Sequence, residues 1–207
     1  MQHDETEVPY NETLKSINDR HSVRTFLKDD VTDREIRILL NAANSAPSAH
    51  NQQAWRFIVL RGGKKQELAQ LVTLQSSYFP RPAATLLRMG AKSIISAPVV
   101  IAVANTGDLI RHGTELFKVD KETARDFFRT MEIQSSAAAV ENILLAATSL
   151  GLGTVWLGVL YLIKAEVLRF LGEPGGEFMA VVPVGHAVKT GNGPKKQPVD
   201  TKVKVMV

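Results

Sequence analysis

Cysteine is absent from the 207-residue sequence, which excludes disulfide bonds, thiol nucleophiles and cysteine-ligated zinc or iron–sulfur centres. Aromatic residues make up only 6%, and no GxSxG, P-loop or HExxH motif is present. The familiar hydrolase, nucleotide-hydrolysing and zinc-peptidase sites are therefore missing. The N-terminus is acidic and polar rather than apolar, so we predict no secretory signal there, which together with the lack of cysteine fits a cytoplasmic protein.

Long stretches without charge are also rare, and the longest needs interpretation. Residues 143–163 run 21 positions without a charged side chain, a length that could span a bilayer. Gly151, Gly153 and Gly158 interrupt this run. We predict a buried helix, a turn and a buried strand, and a membrane span is the alternative.

The net charge of +4 is concentrated at the C-terminal end, where residues 185–207 hold five lysines and one aspartate. A basic tail suits nucleic acid, an anionic small ligand or a solvated strand. No aromatic residue lies between positions 185 and 207 to stack on bases, so we expect no nucleic-acid partner.

The hydrophobic pattern predicts one domain with helices packed on both faces of a mixed sheet. Asn11 and the pair Thr32 and Glu35 carry helix-capping signals, and residues 122–150 predict a long central helix that is mostly buried. Two prolines in residues 75–95 indicate an irregular loop that could serve as a lid. Strands are predicted at 55–60, 99–104, 154–157, 179–184 and, as an alternating edge strand, 203–207.

The first chemical constellation is residues 20–24, with the sequence RHSVR. Arg20 and Arg24 share a side in either a strand or a helix, so two guanidinium groups converge. Guanidinium groups bind phosphate in a bidentate manner, so the pair suits a phosphate ligand. A solvated basic stretch is the alternative on these residues alone.

A second constellation, residues 46–55, is a run of Ser, Asn and Gln between a capped helix and an apolar strand. Uncharged donors and acceptors suit a ligand rich in hydroxyl and carbonyl groups, whereas an ordinary turn also uses these residues. A third run, Gly151-Leu152-Gly153, fails as a dinucleotide fingerprint because Trp156 stands where GxGxxG needs glycine. Gly158 could admit a flat ligand close to the backbone.

Four segments, in order, resemble the FMN-dependent nitroreductase family: RHSVRTF, LLNAANSAPSAHNQQAWRFIVL, SSAAAVENILLAATSLGLGTVWLG and VVPVGHA…PKKQPVD. The resemblance implies an α+β fold, a three-layer α/β/α sandwich with a central mixed, largely antiparallel sheet and a long buried central helix. It implies a single domain over residues 1–207, with 75–95 as the lid loop and 201–207 as a strand extending to a partner subunit.

The resemblance also implies a homodimer with FMN at the subunit interface, and no metal. Arg20, His21, Ser22 and Arg24 would hold the phosphate and ribityl chain, with Lys195 and Lys196 on the phosphate. The segment matching P-S-x-x-N would reach the flavin from the partner subunit, and a further segment would lie by the flavin ring. The first of these segments contributes Pro47, Ser48, Ala49 and Asn51. The second contributes Trp156, Leu157 and Gly158.

The implied activity is reduction of electron-poor acceptors (nitroaromatics, quinones) by NADH or NADPH, through ping-pong hydride transfer at flavin N5. No side chain would be catalytic, because the cofactor carries the chemistry. A specialised flavoenzyme of the same fold (dehalogenase, flavin-cleaving or dehydrogenase type) is the alternative, and a basic nucleic-acid-binding module is a further one. Three positions depart from the family pattern: Ala54 replaces Pro, Ser135 replaces a frequent Asp, and Gln197 replaces a frequent Arg.

Overall fold

A four-stranded sheet separates two layers of helices in the computed structural model, which describes residues 11–116, 118–189, 191 and 193–206. Neighbouring strands are antiparallel, and an isolated parallel bridge joins Ser22 to Thr154 at the edge. The arrangement agrees with the predicted α+β class. The strands, in the order β1-β2-β4-β3, are β1 Trp55–Arg61, β2 Val99–Asn105, β3 Gly153–Thr154 and β4 Glu177–Gly185.

The helices begin where the sequence carries capping residues. Asn11 Oδ1 accepts a hydrogen bond from Leu14 N at 3.0 Å, and Thr32 and Glu35 form the predicted reciprocal capping box. The α-helices are α1 Glu12–Asp19, α2 Asp33–Asn44, α3 Gly62–Ser76, α4 Arg81–Ser96, α5 Asp108–Leu116, α6 Lys121–Ser149 and α7 Lys164–Leu171. Short 3₁₀ helices lie at Ala49–Asn51, Gly158–Ile163 and Val199–Thr201.

Strand β2 divides the hydrophobic core because successive side chains of a strand point to opposite faces. Every residue of β2 is buried. Val99, Ile101 and Val103 pack in the layer of α2 and α6. Val100 and Ala102 pack in the layer of α3, α4 and α7. The predicted helices on both faces of the sheet are thereby confirmed.

The central helix α6 has 29 residues and agrees with the predicted span of 122–150. Gly151 follows its C-terminus with φ of +73°, a left-handed conformation that favours glycine. The chain then enters β3, which is shorter than the predicted strand 154–157. Among the described residues, no helix has the length and apolar character needed to cross a membrane.

The predicted irregular loop at 75–95 is wrong, because α4 occupies residues 81–96 and α3 extends to Ser76. Pro80 is the N-cap of α4 and Pro82 lies in its first turn. The N–H groups of a first helical turn have no partner within the helix, so proline costs nothing there. The prolines therefore mark the start of a helix rather than a loop, and residues 81–95 do not form a lid loop.

The predicted strand at 201–207 does not form within the described chain. Residues 199–201 form a 3₁₀ turn, and 202–206 follow without strand structure, with Val205 76% exposed. A strand needs a neighbour for its backbone hydrogen bonds, and no strand of the described residues pairs with this segment. Val207 lies outside the described residues, and pairing of the segment with a partner subunit remains a prediction.

Glu177, at the start of β4, joins α6 to the first residue of α7. Its carboxylate accepts hydrogen bonds from Arg129 Nε at 3.0 Å and from Lys164 Nζ at 3.3 Å. Burial raises the pKa of Glu177, but the hydrogen bonds and charges of Arg129 and Lys164 outweigh burial and leave the pKa below its ordinary value. A carboxyl group with a lowered pKa stabilises the fold above its unfolded-state pKa, and that stability is lost as pH falls through the folded-state value.

We expect Glu177→Gln to lower the free energy of unfolding by about 1–2 kcal/mol at pH 7, because it removes two charge-assisted hydrogen bonds. The difference from wild type should shrink as the solution is acidified below the ordinary carboxyl range. Urea unfolding across pH checks this, with Asp126→Asn, an exposed carboxylate on α6, as the control. A variant that loses stability in acid as steeply as wild type would contradict the assignment.

Candidate functional site

Residues 22–24 run as an extended segment beside β3. Val23 N donates to Thr154 O at 2.8 Å, and Val23 is buried while Ser22 and Arg24 are exposed. A Cβ at Gly153 would lie 2.8 Å from Val23 Cβ, so this close approach needs glycine. Of the two conformations left open by the sequence, the structure selects the extended one.

A cleft of 620 Å³ lies between this segment and residues 193–196. That volume is within the range of about 300–1,000 Å³ for small-molecule sites. Its cationic side chains are those predicted to bind phosphate, and its one carboxylate, Asp19, is bonded to Lys15 at 2.5 Å. The lining residues are Asn18, Asp19, Arg20, His21, Ser22, Arg24, Gly193, Pro194, Lys195 and Lys196.

The charge in this cleft is largely uncompensated. Arg20 Nε lies 3.7 Å from Glu141 of α6. Arg24, Lys195 and Lys196 form no ion pair with any part of the chain that the structure describes. Several unpaired cations around one cavity form an anion-binding site.

Gly193 explains how residues 193–196 come so close to the first constellation. A Cβ at this position would lie 2.6 Å from His21 Cβ. The His21 ring is itself fixed, with Nδ1 2.9 Å from Asp19 O. The sequence predicts a stiff basic segment from Gly193 to Pro198, in which two lysines lie between prolines, but it gives Gly193 no site role of its own.

A second cavity, of 170 Å³, adjoins the cleft at Arg24, and we call it the Trp156 cavity. It contains the predicted residues Trp156, Leu157 and Gly158. Leu157 N donates to Val181 O at 2.9 Å, which holds this segment against β4. A Cβ at Gly158 would meet nothing nearer than Trp156 ring atoms at 4.0 Å. The fold itself therefore does not require glycine at this position.

Two residues of α4 that sequence reasoning missed, Leu86 and Met89, complete this cavity. Both are large, apolar and about half exposed, at 53% and 49%. Their spacing of three residues puts them on one helix face. The two prolines, Pro80 and Pro82, hide this signal because they predict a loop where α4 lies.

The remaining predicted segment lies elsewhere, in a cavity of 290 Å³ that we call the half-site. It shares no lining residue with the cleft or with the Trp156 cavity. The predicted Asn51 is not among its lining residues, and Asn51 Oδ1 accepts from Gln53 Nε2 at 2.8 Å. The half-site is lined by Pro47, Ser48, Ala49, Met131, Gln134, Ser135 and Ala138.

Ser135, one of the departures from the family pattern, fixes the half-site backbone. Its Oγ accepts from Ala49 N at 3.1 Å and donates to Met131 O at 2.7 Å. Ala54, another departure, is buried, and its carbonyl accepts from Thr106 N at 3.0 Å. The third departure, Gln197, is exposed.

The half-site loop holds an unusual backbone conformation. His50, Asn51 and Gln53 have φ of +54°, +52° and +49°. Left-handed conformations cost residues other than glycine about 1–2 kcal/mol each. Such strain is concentrated at binding and catalytic segments, so the conformation favours a ligand-binding segment over an ordinary turn.

The combined arrangement presents cationic and hydrogen-bonding groups that suit an anion, with an apolar cavity beside them. Its donors are guanidinium, ammonium, hydroxyl and backbone groups. Among the described residues, no group of three or more His, Cys, Asp or Glu side chains could hold a metal ion. Such a site has the donor groups to bind and orient a phosphorylated ligand.

Comparison with known proteins matches residues 17–186 to the model of the Nitroreductase family. A putative NADH dehydrogenase/NAD(P)H nitroreductase of Archaeoglobus fulgidus is 31% identical over 148 residues, which are 72% of this chain and 68% of that protein. A NADPH-flavin oxidoreductase of Vibrio harveyi is 29% identical, over 79% of this chain and 60% of that protein.

Among solved structures, a nitroreductase with bound FMN from Desulfitobacterium hafniense superposes with a TM-score of 0.71 at 27% identity. The alignment covers 95% of this chain and 99% of that one. Alignments to the first three curated relatives span 68%, 66% and 63% of those proteins' lengths. The structural likeness extends over nearly the whole of both chains and confirms the fold class.

Proposed function

The chain belongs to the Nitroreductase family, and from this membership we propose that it is an FMN-dependent NAD(P)H oxidoreductase that reduces electron-poor acceptors such as nitroaromatics and quinones. The observation that carries the proposal is the cleft of 620 Å³, in which Arg24, Lys195 and Lys196 form no ion pair with the described residues, joined at Arg24 to the Trp156 cavity. A phosphate and a flat ring system are the two parts of FMN that such a pair of cavities fits.

The donor set supports this cofactor. Arg20, Arg24, Lys195 and Lys196 would hold the phosphate, since guanidinium and ammonium groups bind it through charge-assisted hydrogen bonds. FMN, when bound, supplies the capacity to take a hydride from NAD(P)H and to pass it to an acceptor. Because the bound cofactor would carry the chemistry, no side chain in the cleft has to act as a nucleophile or general base.

The remaining residues would bind and orient the cofactor. Ser22 and His21 lie at the cleft and offer hydrogen bonds to the ribityl chain. Trp156, Leu157 and Gly158 line the apolar cavity where the ring would lie. NAD(P)H and the acceptor would use the same pocket in turn, which gives ping-pong kinetics.

We also propose that the active protein is a homodimer with the cofactor at the subunit interface. The half-site shares no lining residue with the cleft, so within one chain Pro47, Ser48 and Ala49 do not join the other predicted site residues. A second copy could bring its half-site to the cleft, with Asn51 at the end of the same short segment. The strained loop conformation supports such a binding role.

The tail offers a structural means of dimerisation. Strand β1 is at the edge of the sheet and pairs only with β2 in the described chain. A groove of 380 Å³ beside it is lined in part by Ile36, Leu40 and Val59. An unpaired edge with an apolar groove accepts an added strand that carries alternating apolar residues, as the C-terminal residues do.

Deleting residues 202–207 is expected to raise the dimer dissociation constant at least about tenfold, because the added strand and its apolar contacts are lost. FMN affinity should fall with it. Sedimentation velocity over a dilution series measures the first effect, and Lys202→Gln with Lys204→Gln, which keeps the valines, is the control. An unchanged dimer in the deletion variant would overturn the proposed role of the tail.

An absorption spectrum before and after anaerobic addition of NADH or NADPH tests the function. The proposal expects a flavin spectrum that bleaches with at least one nucleotide, followed by acceptor reduction. Bound flavin that neither nucleotide bleaches would instead favour a specialised flavoenzyme of the same fold. A colourless protein that cannot be loaded with FMN would remove the flavin assignment and return the basic tail to consideration as a nucleic-acid site.

A further inference from the structure

A buried carboxylate on α6, which the proposed chemistry does not use, caps the first turn of α5. Glu132 is 1% exposed, and its Oε1 accepts hydrogen bonds from Leu109 N at 2.8 Å and from Ile110 N at 3.3 Å. The first N–H groups of a helix have no partner within it, and negative charge is favourable near them. The cap of α5 is thus supplied by the neighbouring helix.

Glu132 belongs to a buried polar layer where β2 ends. Ser136, one turn further along α6, donates to Asn105 Oδ1. Glu132 Oε2 and Asn105 Nδ2 are buried without a hydrogen-bond partner among the described residues. Unpaired buried polar atoms are rare and costly, which indicates that this layer does more than fill the core.

The same helix α5 rests on residues of the half-site. Leu109 packs in a cluster with Ala54 and Phe128, and the partly buried Ala49 and Met131 pack against that cluster. Ala49 and Met131 also line the half-site. Just before α5, Thr106 N donates to the carbonyl of Ala54, as described above. The position of α5 and the shape of the half-site therefore depend on shared contacts.

We propose that Glu132 is a positioning residue that fixes α5 against the half-site and thereby limits the size of the electron acceptor. The half-site cavity, at 290 Å³, lies at the lower end of volumes found for small-molecule sites. The inference rests on the proposed function, in which the acceptor would be reduced at the cofactor and the proposed dimer would bring the half-site of a second copy to that cofactor. Glu132 reaches the acceptor only through α5 and the Ala49–Met131 contacts.

Glu132→Gln tests this positioning role, since it removes the negative charge at nearly constant volume. Hydrogen exchange at the amides of Leu109 and Ile110 should become about tenfold faster, because these N–H groups lose a charged acceptor. Glu115→Gln, an exposed carboxylate on α5 itself, is the matched control and should leave these amides unchanged. This readout needs neither cofactor nor turnover.

The same variant should change acceptor selection. With menadione (two rings) and 1,4-benzoquinone (one ring) as probes, the ratio of kcat/KM for menadione to that for benzoquinone should rise about three- to tenfold. The rise should come from a lower KM for menadione, with kcat for benzoquinone unchanged. A merely structural role would lower both activities together.

Gly113→Ala displaces α5 without touching Glu132 and keeps the test valid if Glu132→Gln folds poorly. A Cβ at Gly113 would lie 2.5 Å from the ring of Phe128 on α6. The same shift toward menadione is expected. Unchanged exchange in Glu132→Gln, or an unchanged acceptor ratio in both variants while NADH still bleaches bound FMN, would overturn this inference alone. Failure of wild-type protein to bind FMN would overturn the proposed function first.

Discussion

Replacing Arg24 with alanine is expected to weaken FMN binding by about 10- to 100-fold, the loss that corresponds to one charge-assisted bidentate contact. Arg24 borders the cleft, the Trp156 cavity and a third cavity beside Lys189, so it stands where the proposed phosphate and ring positions meet. Its side chain is exposed and has no ion-pair partner among the described residues, so removing it should leave folding nearly unchanged.

Titration of FMN fluorescence measures this effect. Arg24→Lys keeps the charge but not the planar fork and should have intermediate affinity. Arg88→Ala, an exposed arginine of α4 that lines none of these cavities, is the control. If Arg24→Ala binds FMN as tightly as Arg88→Ala, the cleft is not the phosphate site.

A methyl group at Gly153 is expected to affect both stability and cofactor binding. In Gly153→Ala the new Cβ would lie 2.8–2.9 Å from the Cβ and both Cγ atoms of Val23, which is buried and cannot move aside freely. Overpacking of this kind costs about 1–3 kcal/mol. The extended segment that carries Ser22 and Arg24 must shift to relieve the contact, so FMN affinity should also fall, by about tenfold or more.

Urea unfolding and FMN titration of the same preparation separate the two effects. Gly175→Ala is the matched control, because a Cβ there would meet nothing within 4 Å. A variant that loses stability but keeps its FMN affinity would show that residues 22–24 do not position the cofactor. A variant as stable as Gly175→Ala would contradict the packing argument itself.

Most of the fold could be predicted from local pattern because its main elements carry strong periodic signals. Strands β2 and β4 are mostly apolar, and helix α6 is long with a mostly apolar second half. The capping residues Asn11, Thr32 and Glu35 form hydrogen bonds within the first turn of their helices. Helix α4 was missed for an equally local reason. Pro80 and Pro82 break a helix in its interior but are compatible with its start, and the pattern alone did not distinguish these positions.

The sequence could predict which residues belong to the candidate site, but not which of its segments lie together within one chain. The segments at 20–24 and 195–196 lie in one cleft, whereas the segment at 47–49 lies in a separate half-site, and only three-dimensional structure separates them. Glu132 was not predicted, because a carboxylate between Phe128 and Ser136 on a buried helix face depends on the N–H groups of another helix. The left-handed backbone of His50, Asn51 and Gln53 likewise depends on surroundings rather than on local preference.

The open edge of β1 also has a consequence for the monomer before the proposed dimer forms. In a newly folded monomer, the unpaired backbone N–H and C=O groups of Trp55–Arg61 could hydrogen-bond to any extended chain. Such pairing is the usual start of edge-to-edge aggregation. Arg56 and Arg61 at this edge are charged gatekeepers, and both are tied to carboxylates, Glu173 at 3.4 Å and Asp33 at 3.2 Å. Aggregation of the monomer should therefore increase with salt, which screens these charges, and should be suppressed by a synthetic peptide that matches the C-terminal residues.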